Sequence, residues 1–199
     1  MRFPSPTKLL SLLLSFVIIC NIVKCEAKGS CNQNDKQILF CFKHGLTDPS
    51  GMLSTWSKKD DCCEWKGVRC DISGRVTDIS LPCSPEDDII LDNQINKAHC
   101  LSGELHISIF ELEFLSYLDL SGNYFKAIHL PLDCQNLSLV NSPHRSENFS
   151  NVVHLDLFGN ENLVVADLRW LLRLSSLEYL NLEYTNLHKQ TQWVQIIYG

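Results

Sequence analysis

The chain has 199 residues, 45% of them hydrophobic, and a formal charge of −6 from 17 Lys+Arg against 23 Asp+Glu. That is enough apolar mass for a buried core, and too acidic a balance for a protein that binds nucleic acid by neutralising phosphates. Its ten cysteines are unusual in a reducing compartment and ordinary in a secreted protein.

Residues 1–25 read as a secretory leader. Arg2 and Lys8 give a basic start, and Leu9 to Cys20, LLSLLLSFVIIC, is a predominantly apolar run. Such a run is well short of the roughly 20 apolar residues that span a bilayer. Cleavage is expected after Cys25 or Ala27. It removes Arg2, Lys8 and Lys24, leaving 14 Lys+Arg against 23 Asp+Glu, or −9. Eight cysteines then remain, at 31, 41, 62, 63, 70, 83, 100 and 134, and no later segment is apolar enough to cross a membrane.

Residues 26–73 form a cysteine-bearing unit. A short helix is predicted after Cys31, with Asn34 as its N-cap and Leu39, Phe42 and Leu46 on one face. Gly45 suits its end, and Asp48-Pro-Ser-Gly51 is a turn. Trp56 and Trp65 follow, the second inside DDCCEWKGVRC.

From Val76 a repeat begins. Ile79-Ser-Leu81, Leu118-Asp-Leu120, Leu155-Asp-Leu157 and Leu180-Asn-Leu182 are one short strand written four times. Each follows an apolar residue three positions earlier: Val76, Leu115, Val152 and Leu177. Alternate leucines point into a core, and copies stack as parallel strands. Asn123 and Asn160 stand at one offset and can satisfy backbone groups of the turn leaving each strand; Thr185 holds that place in the fourth copy. The strand spacings are 39, 37 and 25. The first two exceed a repeat of about 24 residues, which predicts projecting loops near 82–100 and 130–147. Residues 166–177 have helical spacing, with Leu168, Leu171 or Leu172, and Leu174 inward.

Cys62 and Cys63 are adjacent, so each needs a distant partner. Spacing prefers Cys31–Cys62 and Cys63–Cys70, worth roughly 3.7 and 2.5 kcal/mol on a chain-entropy model. Cys83 and Cys100 bracket the first insertion and could pair, for roughly 3 kcal/mol. Eight cysteines allow on the order of a hundred pairings, so spacing alone does not decide. Cys41 and Cys134 are left over: free, bonded to each other, or bonded outside the chain.

The sequence lacks CxxC, GxSxG, HExxH, a P-loop and GxGxxG. The expectation is no enzyme, no metal and no cofactor. Asn136-Leu-Ser138 and Asn148-Phe-Ser150 are glycosylation sequons in or beside the second insertion.

These residues resemble the N-terminal end of plant extracellular leucine-rich-repeat proteins. DPSGMLSTW followed by DCCEWKGVRCD is similar to the plant-type N-terminal cap. LSGEL at 101–105 resembles the plant extension LxGxIP, with Leu105-His106 in place of Ile-Pro. ADLRWLLRLSSLEYLNLEYTNL and TQWVQII at 191–197 resemble early repeats of receptor-like proteins, the kinase-less plant immune and developmental receptors. The resemblance implies an α/β repeat: a right-handed solenoid with parallel strands on its concave face, and a cap stapled by 31–62 and 63–70 bonds. The strand copies themselves give an expectation of about four repeats over 74–199 without a C-terminal cap. Cys41 departs from the family pattern.

The outward strand positions are candidate ligand contacts: Tyr117, Asp119, His154, Asp156, Phe158, Tyr179, Asn181, Glu183 and Tyr184. The resemblance implies a secreted or cell-surface interaction module that takes a peptide, glycan or protein ligand, with a co-receptor kinase as a second partner and no nucleic acid. Two rival expectations are a polygalacturonase-inhibitor-like protein and a truncated product without independent activity.

Overall fold

In the computed structural model the described residues are 29–83, 89–91, 94–96, 99–129, 151–165 and 168–187. The expected leader, the second insertion with Cys134, Asn136 and Asn148, and TQWVQII lie outside them.

The cap opens with helix α1 (Gln33–His44). Its N-cap is Asn32, not Asn34: the Asn32 side chain accepts from the backbone N–H groups of Asn34 and Asp35 at 2.9 and 3.2 Å. Asparagine is a strong cap wherever it precedes a helix, and with Asn32 and Asn34 both present, composition alone favours neither. Gly45 ends the helix in a right-handed conformation. Glycine is required there for space, because a Cβ would run into the His106 ring and the Glu104 carbonyl. Strand β1 (Leu46–Thr47) follows.

Each cap motif has a physical task. The Asp48 carboxylate accepts from Met52 and Leu53 N–H, both at 2.8 Å, and closes the turn that delivers Leu53 and Trp56 to the core. Trp56 stacks on Trp65 at 5.2 Å and packs near Phe42. Its indole donates to the Lys66 carbonyl at 3.0 Å. Lys43 crosses back to the Leu53 and Trp56 carbonyls. Asp61 accepts from the N–H groups of both Cys31 and Cys63, placing Cys31 beside Cys62 and Cys63 toward Cys70. Cys31–Cys62 and Cys63–Cys70 are bonded, and so are Cys83 and Cys100.

A five-stranded sheet runs β10–β9–β7–β3–β2. Its strands are β2 (Val68–Cys70), β3 (Val76–Ser80), β7 (Tyr117–Asp119), β9 (His154–Asp156) and β10 (Tyr179–Asn181). The four repeat strands pair in parallel with matched leucines: Ile79 with Leu118, Leu118 with Leu155, Leu155 with Leu180. Strand β2 is antiparallel to β3, so the sheet is not wholly parallel as expected. The tight turn around Gly74 returns the chain directly, and such a turn permits only antiparallel pairing.

The first insertion holds an antiparallel hairpin, β4 (Ile89–Leu91) with β5 (Gln94–Asn96), between the bonded Cys83 and Cys100. It is more structured than the loop expected. LSGEL forms β6 (Ser102–His106), which pairs antiparallel with β1 and parallel with β8 (Tyr124–His129). This second sheet is continued by single bridges from Ala127 to Val164 and Val164 to Asn186. It was not anticipated, because its strands lack a leucine alternation. The return segment is a 3₁₀ turn over Arg169–Arg173 rather than an α-helix. A 24-residue repeat leaves room for one or two turns only. Leu171 is inward, and Leu172 is 60% exposed.

Candidate functional site

Between the two sheets the leucines of the second and third copies are fully buried, Leu118, Leu120, Leu155 and Leu157 having no exposed surface, while Leu180 and Leu182 of the fourth are partly buried. The residues between them therefore face away from the core. Two rows result. The first runs Asp78, Tyr117, His154, Tyr179 across β3, β7, β9 and β10; the second runs Ser80, Asp119, Asp156, Asn181.

In the first row the rings stack at strand spacing. Tyr117 and His154 lie 4.4 Å apart, His154 and Tyr179 4.1 Å, with nearly parallel planes. One histidine is thus held between two phenols. Burial raises the Tyr117 phenol above its usual value, and the carboxylates of Asp119, Asp156 and Asp78 raise it further. The carboxylate field converges on this ring and keeps it neutral and able to donate.

The second row has a structural task as well. Asp119 Oδ1 accepts from Ser121 N–H at 3.0 Å, Asp156 Oδ1 from Phe158 N–H at 2.8 Å, and Asn181 Oδ1 from Glu183 N–H at 3.0 Å. Each side chain closes the turn two residues on, as short polar side chains do. Of the nine candidate contacts, these three therefore have an intramolecular reason to be polar.

Beyond the strand ends, Phe158 and Tyr184 meet edge to face at 5.4 Å, 39% and 61% exposed. Glu183 lies beside them in the same turn. The Glu183 carbonyl accepts from Gly159 N–H at 3.0 Å. The structure brings the nine candidates onto one surface. It adds three that sequence reading missed: Arg69, Asp78 and Ser80, which with Gly67, Val68 and Tyr117 line a hollow of about 530 Å³ at the cap end. The signal was present for two of them, since Asp78 and Ser80 are the outward positions of the first copy. Arg69 comes from the antiparallel β2, which no repeat pattern could supply.

Below the surface lies a polar spine. Asn123 Nδ2 donates to the Leu81 and Leu120 carbonyls at 2.8 and 3.0 Å, and its Oδ1 accepts from Leu101 N–H at 3.1 Å. Asn160 donates to the Leu120 and Leu157 carbonyls at 3.0 and 2.9 Å. Each asparagine thus bonds its own repeat and the one before. Among the described residues the Thr185 hydroxyl donates to Leu182 in its own repeat.

Among the described residues two groups combine cysteine with other metal-ligating side chains, Cys31/Asp61/Cys62/Cys63 and Cys83/His99/Cys100. Their thiols are consumed in disulfides, which leaves no thiolate to bind an ion. Among the described residues no helix is long and apolar enough to cross a membrane.

Residues 32–71 match the family model described as the leucine rich repeat N-terminal domain. The chain is 39% identical over 190 residues to receptor-like protein EIX1 of Solanum lycopersicum, covering 85% of this chain and 18% of that protein. It is 38% identical over 105 residues to receptor-like protein EIX2 of the same plant, covering 52% of this chain and 10% of the relative. The crystal structure of the BIR2 ectodomain from Arabidopsis thaliana aligns with a TM-score of 0.51 at 22% identity, over 79% of this chain and 70% of that one. The chain thus spans less than a fifth of either curated relative.

Proposed function

We infer, for a chain that carries the N-terminal portion of a plant extracellular leucine-rich-repeat receptor-like protein, that it recognises a peptide or protein ligand on the outward face of its five-stranded sheet. The supporting observation is the continuous aromatic row Tyr117–His154–Tyr179, with exposed Phe158 and Tyr184 at its side. Stacked rings present a large, stiff, amphipathic surface that loses little side-chain entropy on binding. Asp78, Asp119, Asp156 and Glu183 border it, so the matching ligand surface is apolar with basic groups. In this reading the repeats wind as a right-handed solenoid with this sheet on its concave side. The protein works outside the cell or at its surface, a glycan is a further candidate ligand, and a co-receptor kinase is a second partner.

The test is a selection of random displayed 12-residue peptides on the secreted full chain. Selected peptides are expected to be rich in Arg or Lys with apolar neighbours, and the Tyr117→Ser/Tyr179→Ser double variant is expected to lose them at least tenfold. Replacing the exposed Leu172 on the opposite, 3₁₀ side with Glu is the control. If both variants retain the peptides equally, this face is not the recognition surface.

A further inference from the structure

We propose that the hollow at the cap end of the outward face is a subsite for the free carboxyl terminus of a peptide ligand, with Arg69 as the group that pairs with it. The proposal rests on the reading of this face as a peptide-binding surface and adds a direction for the bound chain.

The aromatic row continues past Tyr117. Tyr117 is the register partner of Asp78 on β3, and Asp78 is the register partner of Arg69 on β2. Directly opposed residues of paired strands point to the same side of a sheet. One row therefore crosses all five strands: Arg69, Asp78, Tyr117, His154 and Tyr179. Four strand spacings separate its ends, about 19 Å. That is the span of about six extended residues.

The chemistry of the row changes at its cap end. Asp119, Asp156 and Glu183 make the far part of the face acidic, and Arg69 carries the one permanent positive charge in the two rows. Arg69 is exposed, and among the described residues it forms no ion pair; the cap's ion pairs with Asp35 and Glu113 belong to Arg75. Asp78, its neighbour across the strands, accepts instead from the Thr77 hydroxyl at 2.6 Å. Guanidinium and carboxylate line one hollow of about 530 Å³, together with Ser80 and Tyr117. The hollow stays open because the position beside Ser80 is Gly67. A Cβ there would run into the Ser80 carbonyl and the Leu81 side chain.

A guanidinium fork that shares a hollow with a carboxylate suits a ligand group with an anionic acceptor pair and an N–H donor close by. The last residue of a peptide has both: its carboxylate for Arg69 and its own amide N–H for Asp78. A phosphate would bring nearly two negative charges against Asp78, where one guanidinium offsets only one. The acidic remainder of the face repels a carboxyl terminus placed elsewhere along the row. A terminus also suits the end of the row, because β2 is the edge strand of the sheet and offers no further strand to follow. The peptide thus lies with its last residue at β2 and its preceding residues over Tyr117, His154 and Tyr179.

The experiment selects random 12-residue peptides on the secreted full chain in two display formats. One joins the peptide to its carrier through the amino end and leaves the carboxyl end free; the other joins it through the carboxyl end. Peptides enriched in either format are then synthesised as free acid and as carboxamide, and their affinities are measured. The free acid is expected to bind about tenfold more tightly than the amide. Arg69→Gln should abolish that preference, and Arg69→Glu should reverse it. Arg69 is exposed and bonds no other described side chain, so both variants are expected to fold. Equal affinity of acid and amide on the wild type, or a preference that survives Arg69→Gln, would overturn the subsite. If the same peptides are still lost on the Tyr117→Ser/Tyr179→Ser variant, the reading of the aromatic face stands without it. Amide binding held by an internal Asp or Glu of the peptide and lost in Arg69→Gln would also overturn the proposal, since Arg69 would then read a side chain. No enrichment in either format overturns both.

Discussion

Tyr184 is the one described non-glycine residue with a left-handed backbone, φ 59°. The equivalent turn positions of the two preceding copies are Gly122 and Gly159, φ 70° and 71°. That conformation costs a bulky side chain about 1–2 kcal/mol. Tyr184 recovers part of this through its edge contact with Phe158, worth about 0.5–1.5 kcal/mol. Its presence where glycine is the easy choice points to use of the ring at the surface. Tyr184→Gly is therefore expected to change stability by no more than about 1 kcal/mol in urea unfolding, while weakening the peptides selected on the aromatic face severalfold. Gly122→Ala should behave in the opposite way. A Cβ there would press into the Cys83 carbonyl and also sit at positive φ, so folding should suffer by at least about 1 kcal/mol.

At the level of the repeat element, the leucine alternation was legible because burial on one strand face forces a period of two. The asparagine ladder was legible for a related reason: a buried turn needs an internal donor and acceptor, and asparagine has both. Asn123→Ala removes all of its bonds at a fully buried position. It strands the Leu101 N–H and the Leu81 carbonyl, at about 1–3 kcal/mol for each buried group left unpaired. A loss of about 3 kcal/mol, measured by denaturant midpoint, is expected. Thr185→Ala removes one bond at a half-buried site and should cost about 1 kcal/mol. Equal losses would show that bonding between repeats contributes nothing beyond the turn itself. The strands of the second sheet were not legible. β6 and β8 are held by main-chain pairing, and their side chains follow no alternation that would announce it. The 3₁₀ form of Arg169–Arg173 was hidden for another reason. Its leucine spacing suits an α-helix, but the short return path and the stacking of Trp170 on Phe110 at 5.4 Å decide its pitch.

Across the whole molecule, a buried carboxylate adds to the strand pairing that joins cap and repeats. Asp35 of α1 has no exposed surface. Its Oδ2 accepts from Val76 N–H at 3.0 Å and from Arg75 Nε at 3.1 Å. Arg75 also reaches Glu113 at 3.2 Å and lies over the Phe114 ring at 4.4 Å. Burial would lower the Arg75 guanidinium, but Asp35, then Glu113, outweighs it and holds the group above its usual value. Removing Asp35 takes one of the two carboxylate partners of Arg75 and leaves the buried Val76 N–H unpaired. Asp35→Ala is expected to cost roughly 3 kcal/mol and to uncouple cap from repeats, seen as hydrogen exchange in α1 becoming faster than exchange in β7 and β9. Uniform acceleration of exchange throughout the chain would show instead that Asp35 acts on global stability alone.

The sequence by itself determined the cap, the four repeat strands, the buried leucines and the outward candidate face, since each depends on local periodicity or on motifs whose residues act within a few positions of one another. The pairing of adjacent Cys62 and Cys63 with separate partners followed from bond geometry that neighbours cannot satisfy. Only the tertiary structure decided the contacts between distant segments. These include the choice of Asn32 over Asn34 as N-cap, the second sheet that joins Leu46 to Asn186, the hollow completed by Arg69, and the helix flank where Cys41 is bonded and buried. Those features depend on which segments the stacked repeats bring side by side, and stacking order sets that proximity independently of any pattern within the segments themselves.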